Sequence, residues 1–547
     1  MTPEQEEVAT FYAVLIESDH AEKKVFRDNF FKAWKKILGP GHVIKDFDKC
    51  DFRPIWKYSQ EKKEEAKIYR KENREKLKKE KEELMEIYGY ALVDGYREKI
   101  GNFRVEPPGL FRGRGQHPKT GRLKERVMPE QITLNIGKGA KIPKCPIEGH
   151  NWKGVIHNPN VTWLAFWKDN INGDFKYVWL DKSSKFKGQS DFLKYEKSRK
   201  LKDYIDKIRA FYNRGIKSNK TEDYELAVAI YLIDRLALRV GNEKGEDTAD
   251  TVGCCSLRTA HIMFKCDESD PPITLEDTKI RLKFLGKDSI QYDNIVNVEA
   301  PFYKKLMLMK KQALKTVDRM RDKKEREKGA NMFTKVDPSV VNTTLSSFMD
   351  GLTAKVFRTY NASITLQREL EKVDDEVSKE TPIGDKVFVY NRSNRIVAEL
   401  CNHQRAIPKS HSTQVGKMKE KMSDLLDKRE ALEEHIQVLK GKKKKKAKKE
   451  KKNKKGEKEP RKFSQNIDVC QRQLESCLKS ITNLEARLKT KDETKAVSLG
   501  TSKINYMDPR ITVAWCKRKE LPLEKVFNAS LVTKFPWAMD TKTDWKY

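Results

Sequence analysis

The stretch TSKINYMDPR, residues 501–510, sets Tyr506 between a basic segment and an Asp-Pro turn. A tyrosine so placed is either one more packed aromatic or a hydroxyl that does chemistry, and most of the chain's 18 tyrosines are expected to be the former. Attack on a phosphodiester without a metal needs a nucleophile, cations on the non-bridging oxygens, a proton donor for the leaving oxygen and close positioning. Candidates for each part stand in distinctive local settings. Arg239 lies in LALRVGNEK at the end of an apolar stretch, where a charge is costly without a partner or ligand. Lys287 follows a glycine in FLGKDSI, which suits a hairpin tip. Arg358 lies in TAKVFRTYNAS, and His403 lies in LCNHQRA beside Asn402 and Arg405. Each has an ordinary alternative: a salt-bridge arginine, a solvated lysine, a packed or capping histidine. Spacing alone cannot assemble them, because they are scattered over nearly half the chain. The residues by themselves lead to polyanion binding with phosphoryl transfer as an option.

Composition narrows the partners. The 547 residues carry 114 Lys and Arg against 81 Asp and Glu, a formal net charge of +33. An excess of that size calls for a polyanion, with nucleic acid ahead of an anionic membrane surface. No run of about 18 apolar residues is present to span a bilayer. The first twenty residues are acidic and hold no Lys or Arg, unlike a secretory signal or a mitochondrial presequence. The 9 cysteines are scattered with no CxxC pair, which argues against a zinc or thioredoxin-like site and for reduced intracellular thiols. No GxxxxGK[ST] loop is present, so a Walker-type ATPase is not expected.

The elements that would carry these residues change in character along the chain. Residues 1–60 suggest short helices with aromatic anchors Phe11, Tyr12, Phe26, Phe30, Phe31 and Trp34. Residues 61–90, rich in Glu and Lys, predict one long solvated helix. Strand-like runs follow at ITLNI (132–136), VTWLAFW (161–167) and FKYVWL (175–180), within a small α+β lobe. From about 184 to 405 the pattern is mainly helical, including an apolar helix over 224–241 expected to end at Gly241. Heptad spacing runs from Val415 to Leu439 and again from Phe463 to Leu488, predicting an antiparallel coiled-coil hairpin. The joining loop, 440–460, is a low-complexity lysine run expected to be disordered. A compact segment, 496–547, then holds Tyr506.

Six segments together go further: EPPGLFRGRGQHPKTGRLKERVMPE (106–130), LALRVGNEK with ADTVGCCSLR (236–258), FLGKDSIQY (284–292), DGLTAKVFRTYNASITLQ (350–367), LCNHQRA (400–406) and TSKINYMDPRITVAWCK (501–517). They closely resemble eukaryotic type IB DNA topoisomerases, in the family's order, from about residue 2 to the end of the chain. The resemblance implies a multidomain α+β protein, a bilobed clamp around duplex DNA. Its parts would be an N-terminal lobe or cap at 1–183, a mainly helical catalytic core at 184–409 like that of tyrosine recombinases, a coiled-coil linker at 410–495, and a small helical C-terminal domain at 496–547. It implies a catalytic set of Arg239, Lys287, Arg358, His403 and Tyr506. Tyr506 would attack phosphorus and become linked to the 3′ phosphate, the arginines and His403 would hold the non-bridging oxygens, and Lys287 would protonate the departing 5′ oxygen. Supercoils of either sign would relax with neither ATP nor a metal cofactor.

Further family contacts carry over by matching position. Arg112 and Arg114 resemble contacts near the cleavage site. Trp163, Lys176, Tyr177 and Lys194 match residues that line the DNA, as do Asn242, Lys244, Thr251 and Lys355. Arg114, Asp288 and Asn505 match the pocket for camptothecin-like inhibitors. Such phosphate contacts imply sequence-tolerant, salt-dependent binding to duplex DNA by a monomer, with no membrane partner. The long charged N-terminal extension of nuclear members is not expected in this chain. The nucleus, with an import signal in the lysine loop, is the expected compartment and the mitochondrion the alternative. Two rivals remain, a tyrosine recombinase using a similar residue set and a non-catalytic chromatin-binding protein on the same fold. The basic stretch KKEREKG at 323–329 has no assigned role.

Overall fold

The computed structural model describes residues 1–265, 278–405, 407–408, 410–441 and 463–547. Cys266 and residues 442–460 of the lysine loop lie outside the described residues. The chain is multidomain and mainly helical with several small sheets, and it divides into two compact units. The first comprises Met1–Lys194, Ala210–Ile230 and Arg239–Thr344, and the second Tyr195–Arg209, Tyr231–Leu238 and Leu345–Tyr547.

The first unit opens with α1 (Pro3–Ala13) and α2 (Lys24–Leu38). Their apolar positions recur at helical spacing, so Val8, Tyr12, Phe26, Phe30 and Trp34 gather in one buried cluster with Phe52. Tyr12 stacks on Phe30 at 4.6 Å between ring centroids. The long charged stretch forms two helices, α3 (Arg53–Glu72) and α4 (Arg74–Tyr88), neither of which has a buried residue. The single helix expected over 61–90 thus begins earlier and is interrupted at Asn73 (φ −105°, ψ 29°), whose side chain donates back to Tyr69 O at 3.0 Å. Self-capping by an asparagine amide competes with helix continuation.

Two hairpins follow, β1 (Tyr90–Val93) with β2 (Tyr96–Lys99), and β3 (Gly109–Leu110) with β4 (Leu123–Lys124). The three predicted strand runs are present as β5 (Thr133–Asn135), β7 (Trp163–Lys168) and β8 (Phe175–Trp179). With β6 (Gly154–Ile156) they make a four-stranded sheet in the order β6-β5-β7-β8, in which only the β5–β6 pair is parallel. Three helices come next, each divided between the two units: α5 (Lys185–Lys200), α6 (Ile205–Gly215) and α7 (Thr221–Leu236). A second sheet sets β10 (Lys279–Leu285) between β9 (Ile262–Met263) and β11 (Gln291–Asn297), and β10 and β11 form a hairpin with Lys287 at its tip. The helices α8 (Ala300–Val317), α9 (Lys323–Lys328) and α10 (Pro338–Phe348) complete this region. The basic stretch 323–329 is the short helix α9, capped by Asp322, and it ends at Gly329 (φ 75°) close against Thr259 and Ala260.

The second unit is built on α11 (Ala354–Lys372), α12 (Ile383–Leu400), α15 (Leu499–Asn505), α16 (Pro509–Arg518) and α17 (Ala529–Lys534). Every residue of α16 from Pro509 to Cys516 is buried. Between them, α13 (His411–Leu439) and α14 (Ile467–Glu493) run antiparallel, with Gln414 against Lys491 at one end and His435 against Ser464 at the other. Leu432, Ile436, Cys470, Cys477 and Ile481 are the buried seam, all of them heptad positions of the sequence.

The apolar helix α7 stops at Leu236, five residues before Gly241. Ala237 adopts φ 49°, a conformation that a non-glycine residue takes only when its surroundings require it. Its carbonyl, released from the helix, accepts a hydrogen bond from Arg358 Nη1 at 2.7 Å. Arg239 therefore stands in extended chain beyond the helix rather than on it.

Candidate active site

In the second unit the structure brings three of the five candidate catalytic residues together: Arg358, His403 and Tyr506. Arg358 lies on α11 and is buried, so its charge must be compensated locally. Nη1 donates to Ala237 O and Nη2 to Cys401 O, while Nε has no hydrogen-bond partner among the described residues. The guanidinium carbon sits 5.0 Å from the centre of the Tyr506 ring. Two carbonyls thus hold the guanidinium in place while its remaining N–H groups stay unspent.

His403 owes its place to the way α12 ends. Asn402 takes the left-handed conformation (φ 51°), one of the few side chains to do so readily. Asn402 N–H then donates to Glu399 O at 2.9 Å and His403 N–H to Ala398 O at 2.8 Å, the paired bonds of a Schellman stop. Ser498 N–H donates to His403 O at 2.7 Å and Arg405 N–H to Ala496 O at 2.9 Å, which ties this corner to the entry of α15. The buried imidazole lies nearly parallel to the Tyr506 ring, with centroids 5.5 Å apart and planes at 22°.

Tyr506 occupies the bend between α15 and α16. Its N–H donates to Ser502 O at 2.9 Å, closing α15. Asp508 caps α16, accepting from Arg510 N–H at 3.0 Å, and Pro509 fills the first helical position. The Asp508 carboxylate, fully buried, is also gripped by the Arg510 guanidinium at 3.1 and 2.7 Å. Ser363, one turn and a half beyond Arg358 on α11, uses its hydroxyl twice. It donates to Tyr506 O at 3.1 Å and accepts from Asp508 N–H at 3.0 Å. Of the other candidates in this unit, Lys355 is exposed on α11 and Asn505 is exposed beside Tyr506, its amide donating to Thr501 O at 3.1 Å.

In the first unit the remaining two catalytic candidates share a corner. The chain after α7 runs past Arg239, whose carbonyl accepts from Cys254 N–H at 2.8 Å. Gly241 (φ 80°) packs directly on Gly253, so closely that a β-carbon on either would collide with backbone. Val252 N–H then donates to Leu285 O at 2.8 Å, two residues before Lys287. Thr251, half-buried, precedes Val252, and Asn242 and Lys244 are exposed between Gly241 and Gly253. The hairpin tip itself is exposed at Lys287, with Asp288 and Ser289 at positive φ (68° and 57°). Asp288 pairs with Arg114, and Gly115 (φ 61°) lies against Ser289. Arg112 is exposed on the same glycine-rich loop.

The remaining candidates for DNA contact lie elsewhere in this unit. Trp163 on β7 and Tyr177 on β8 lie with ring centroids 5.5 Å apart. Lys176 and Tyr177 also line a cleft of about 200 Å³ with Arg104, Lys124 and Arg126. Burial in the first place, and the nearby Lys176 charge, push the Lys124 ammonium below its ordinary range. Lys194 on α5 pairs with Asp191 at 3.1 Å.

Sequence reasoning missed Ser363 and Ser502, the two fully buried hydroxyls that brace the Tyr506 bend and His403. Both stand inside segments that carry the resemblance, but serine is too common a residue for its type or spacing to mark it.

Comparison with known proteins places these parts in one lineage. Residues 1–180 match a family model described as eukaryotic DNA topoisomerase I, DNA binding fragment. Residues 183–436 match the catalytic core of the same family, and residues 478–547 match the C-terminal topoisomerase domain. The chain is 48% identical to DNA topoisomerase 1 beta of Arabidopsis thaliana over 552 residues, covering 100% of the chain and 56% of the plant protein. It is 42% identical to DNA topoisomerase 1 of Schizosaccharomyces pombe, covering 100% of the chain and 72% of that relative. Against DNA topoisomerase 1 of Homo sapiens it is 42% identical, covering 99% of the chain and 66% of the human protein. The chain thus spans little more than half the length of the plant relative. Identity at this level along the entire chain, with all three family parts in order, means that it belongs to the eukaryotic DNA topoisomerase I family.

Proposed function

We propose that this chain is a type IB DNA topoisomerase that nicks one strand of duplex DNA through a transient 3′-phosphotyrosyl link, lets the duplex rotate, and religates. The observation that carries the reading is Tyr506, held at a bend between the Arg358 guanidinium and the His403 imidazole. In this reading the Tyr506 hydroxyl attacks a backbone phosphorus and displaces the 5′ oxygen. Arg358 and His403 donate to the non-bridging oxygens, where charge accumulates in the transition state. Arg358 also stabilises the charge developing on the phenolic oxygen. Arg239 adds a second guanidinium, and Lys287, exposed on its hairpin, delivers a proton to the departing 5′ oxygen. The phosphotyrosine diester keeps the bond energy, so religation by the 5′ hydroxyl reverses the step without ATP or metal.

Cap, catalytic core, coiled-coil linker and C-terminal domain at 1–183, 184–409, 410–495 and 496–547 would form a monomeric clamp on DNA. Arg112, Trp163, Lys176, Tyr177 and Lys194 in the N-terminal lobe, and Asn242, Lys244, Thr251 and Lys355 in the core, would position the duplex through its backbone. The pairing of Arg114 with Asp288 at the hairpin tip supports the reading that camptothecin-like molecules stack in the nick against these two residues. Chromosomal DNA in the nucleus is the proposed substrate.

The test is relaxation of negatively and positively supercoiled plasmid by purified protein, with EDTA and without ATP, beside Tyr506→Phe. Relaxation of both substrates by the wild type alone, with protein trapped on 3′ ends after denaturation, is the expected result. Relaxation surviving in Tyr506→Phe, or absent from the wild type, defeats the reading.

A further inference from the structure

We propose that Ser502 is a positioning residue for the reaction, fixing which nitrogen of His403 carries the proton. The proposal rests on the topoisomerase reading for its kinetic consequence and on geometry alone for its structural one. Ser502 Oγ lies 2.7 Å from His403 Nδ1, and both residues are buried, Ser502 completely. A hydroxyl can serve Nδ1 in either sense, donating to a bare nitrogen or accepting from a protonated one.

For a histidine that must donate to a phosphate oxygen, this choice has a consequence. When the imidazole is neutral, a hydroxyl donating to Nδ1 requires the ring proton to sit on Nε2, the nitrogen that the topoisomerase reading assigns to the phosphate. When the imidazole is charged, both nitrogens carry protons and the same hydroxyl turns to accept. With the hydroxyl donating in the neutral state, Nε2 presents a hydrogen in both states, whereas Nδ1–H donating to Oγ would leave a neutral Nε2 bare. A backbone carbonyl or a carboxylate in the place of Ser502 would accept only. It would hold the proton on Nδ1 and leave a neutral His403 with nothing to donate.

Ser502 is also coupled to the nucleophile. Its carbonyl accepts the N–H groups of Tyr506 at 2.9 Å and of Met507 at 3.0 Å. One residue thus sets the imidazole through its side chain and the bend that holds Tyr506 through its backbone. The Ser498 N–H bond to His403 O at 2.7 Å closes the other side of this arrangement, so the histidine corner and α15 are held at both ends.

Two measurements test the proposal. The first is a double-mutant cycle of Ser502→Ala and His403→Ala, read as the single-turnover rate of covalent complex formation on a duplex oligonucleotide. If Ser502 acts through His403, Ser502→Ala slows the wild type about tenfold, the scale on which orienting partners of functional histidines act. In the His403→Ala background it then costs less than about twofold. An equal cost in both backgrounds overturns the proposal. The second is an 15N correlation spectrum of histidine-labelled protein without DNA at about pH 8.5, where an ordinary imidazole is neutral. The His403 signal is assigned by its loss in His403→Ala. The Nε2–H tautomer is expected in the wild type, and a mixture or the Nδ1–H form in Ser502→Ala. An Nδ1–H tautomer in the wild type, or no change on substitution, overturns it. A wild type that forms no covalent complex defeats the topoisomerase reading instead, while the tautomer measurement still decides the role of Ser502.

Discussion

Arg358 offers the most exacting perturbation, because its hydrogen bonds can be counted. A guanidinium has five N–H donors, and two of them are committed, to Ala237 O and to Cys401 O. One N–H on each terminal nitrogen and the one on Nε remain for phosphate oxygens. Arg358→Lys keeps the charge but brings only three donors on one atom. If the ammonium serves both carbonyls, one donor is left for the phosphate, so two of three are lost. Hydrogen bonds to charged groups contribute about 1.5–3 kcal/mol each. The loss is therefore about 3–6 kcal/mol of transition-state stabilisation, or about 10²–10⁴-fold in cleavage rate. The assay is single-turnover covalent complex formation on an oligonucleotide whose short downstream fragment, carrying the new 5′ hydroxyl, dissociates after cleavage, with DNA affinity measured separately at fixed salt. The rate should fall by at least about a hundredfold while affinity changes by less than about threefold, since one of many phosphate contacts is altered. A lysine variant that cleaves within about threefold of wild type, or whose affinity falls as far as its rate, refutes the count.

Three further outcomes follow from other parts of the structure. Ser363→Ala strips a partner from both Tyr506 O and Asp508 N–H, two buried backbone groups, and should cost about 2–4 kcal/mol of stability, seen as a lower denaturation midpoint, together with slower cleavage. Gly115→Ala puts a β-carbon within 2.3 Å of Ser289 Oγ at φ +61°; it should displace the Arg114–Asp288 pair and reduce trapping by a camptothecin-like inhibitor more than relaxation itself. Burial lowers the Lys503 ammonium to about 8, while burial raises the neighbouring Cys516 thiol to about 12 and also raises the Tyr390 hydroxyl. Between about pH 8 and 10 Lys503 therefore releases a proton in the folded chain that it keeps in the unfolded one, and its own contribution to stability rises with pH in that window. Thermal midpoints of wild type and Lys503→Met at pH 7.5 and about pH 9.5 should show the wild type gaining on the variant, and a constant gap would contradict the assignment.

Much of the framework was legible in the residues. The helical spacing of Phe26, Phe30 and Trp34 announced a buried face, and the strand runs ending at Trp167 and Leu180 announced a sheet. The heptads from Val415 to Leu488 marked the two helices that pack as a pair. Glycine and aspartate before lysine and proline marked the Lys287 hairpin tip and the start of α16. These signals are local. They depend on periodicity and turn chemistry within a few residues, which physics reads the same way in any protein.

What local chemistry could not decide was set by contacts distant in sequence. Residues 61–90 have helix-forming composition throughout, yet Asn73 divides them, because a side-chain amide competes with the backbone at a single position. The helix that was expected to reach Gly241 stops at Leu236 because Arg358, more than a hundred residues on, takes the carbonyl of Ala237. Nothing in the type of Ser363 or Ser502 announces a role; they acquire one only when α11 and α15 fold against the Tyr506 bend and leave each hydroxyl no solvent to turn to. By itself the sequence determined which segments become helix and strand, and which residue types are on hand for phosphoryl transfer. The resemblance had named Arg358 and His403 beside Tyr506, but only the tertiary structure decided how they meet it and which serines brace them, because a buried polar group must find its partner wherever the fold supplies one.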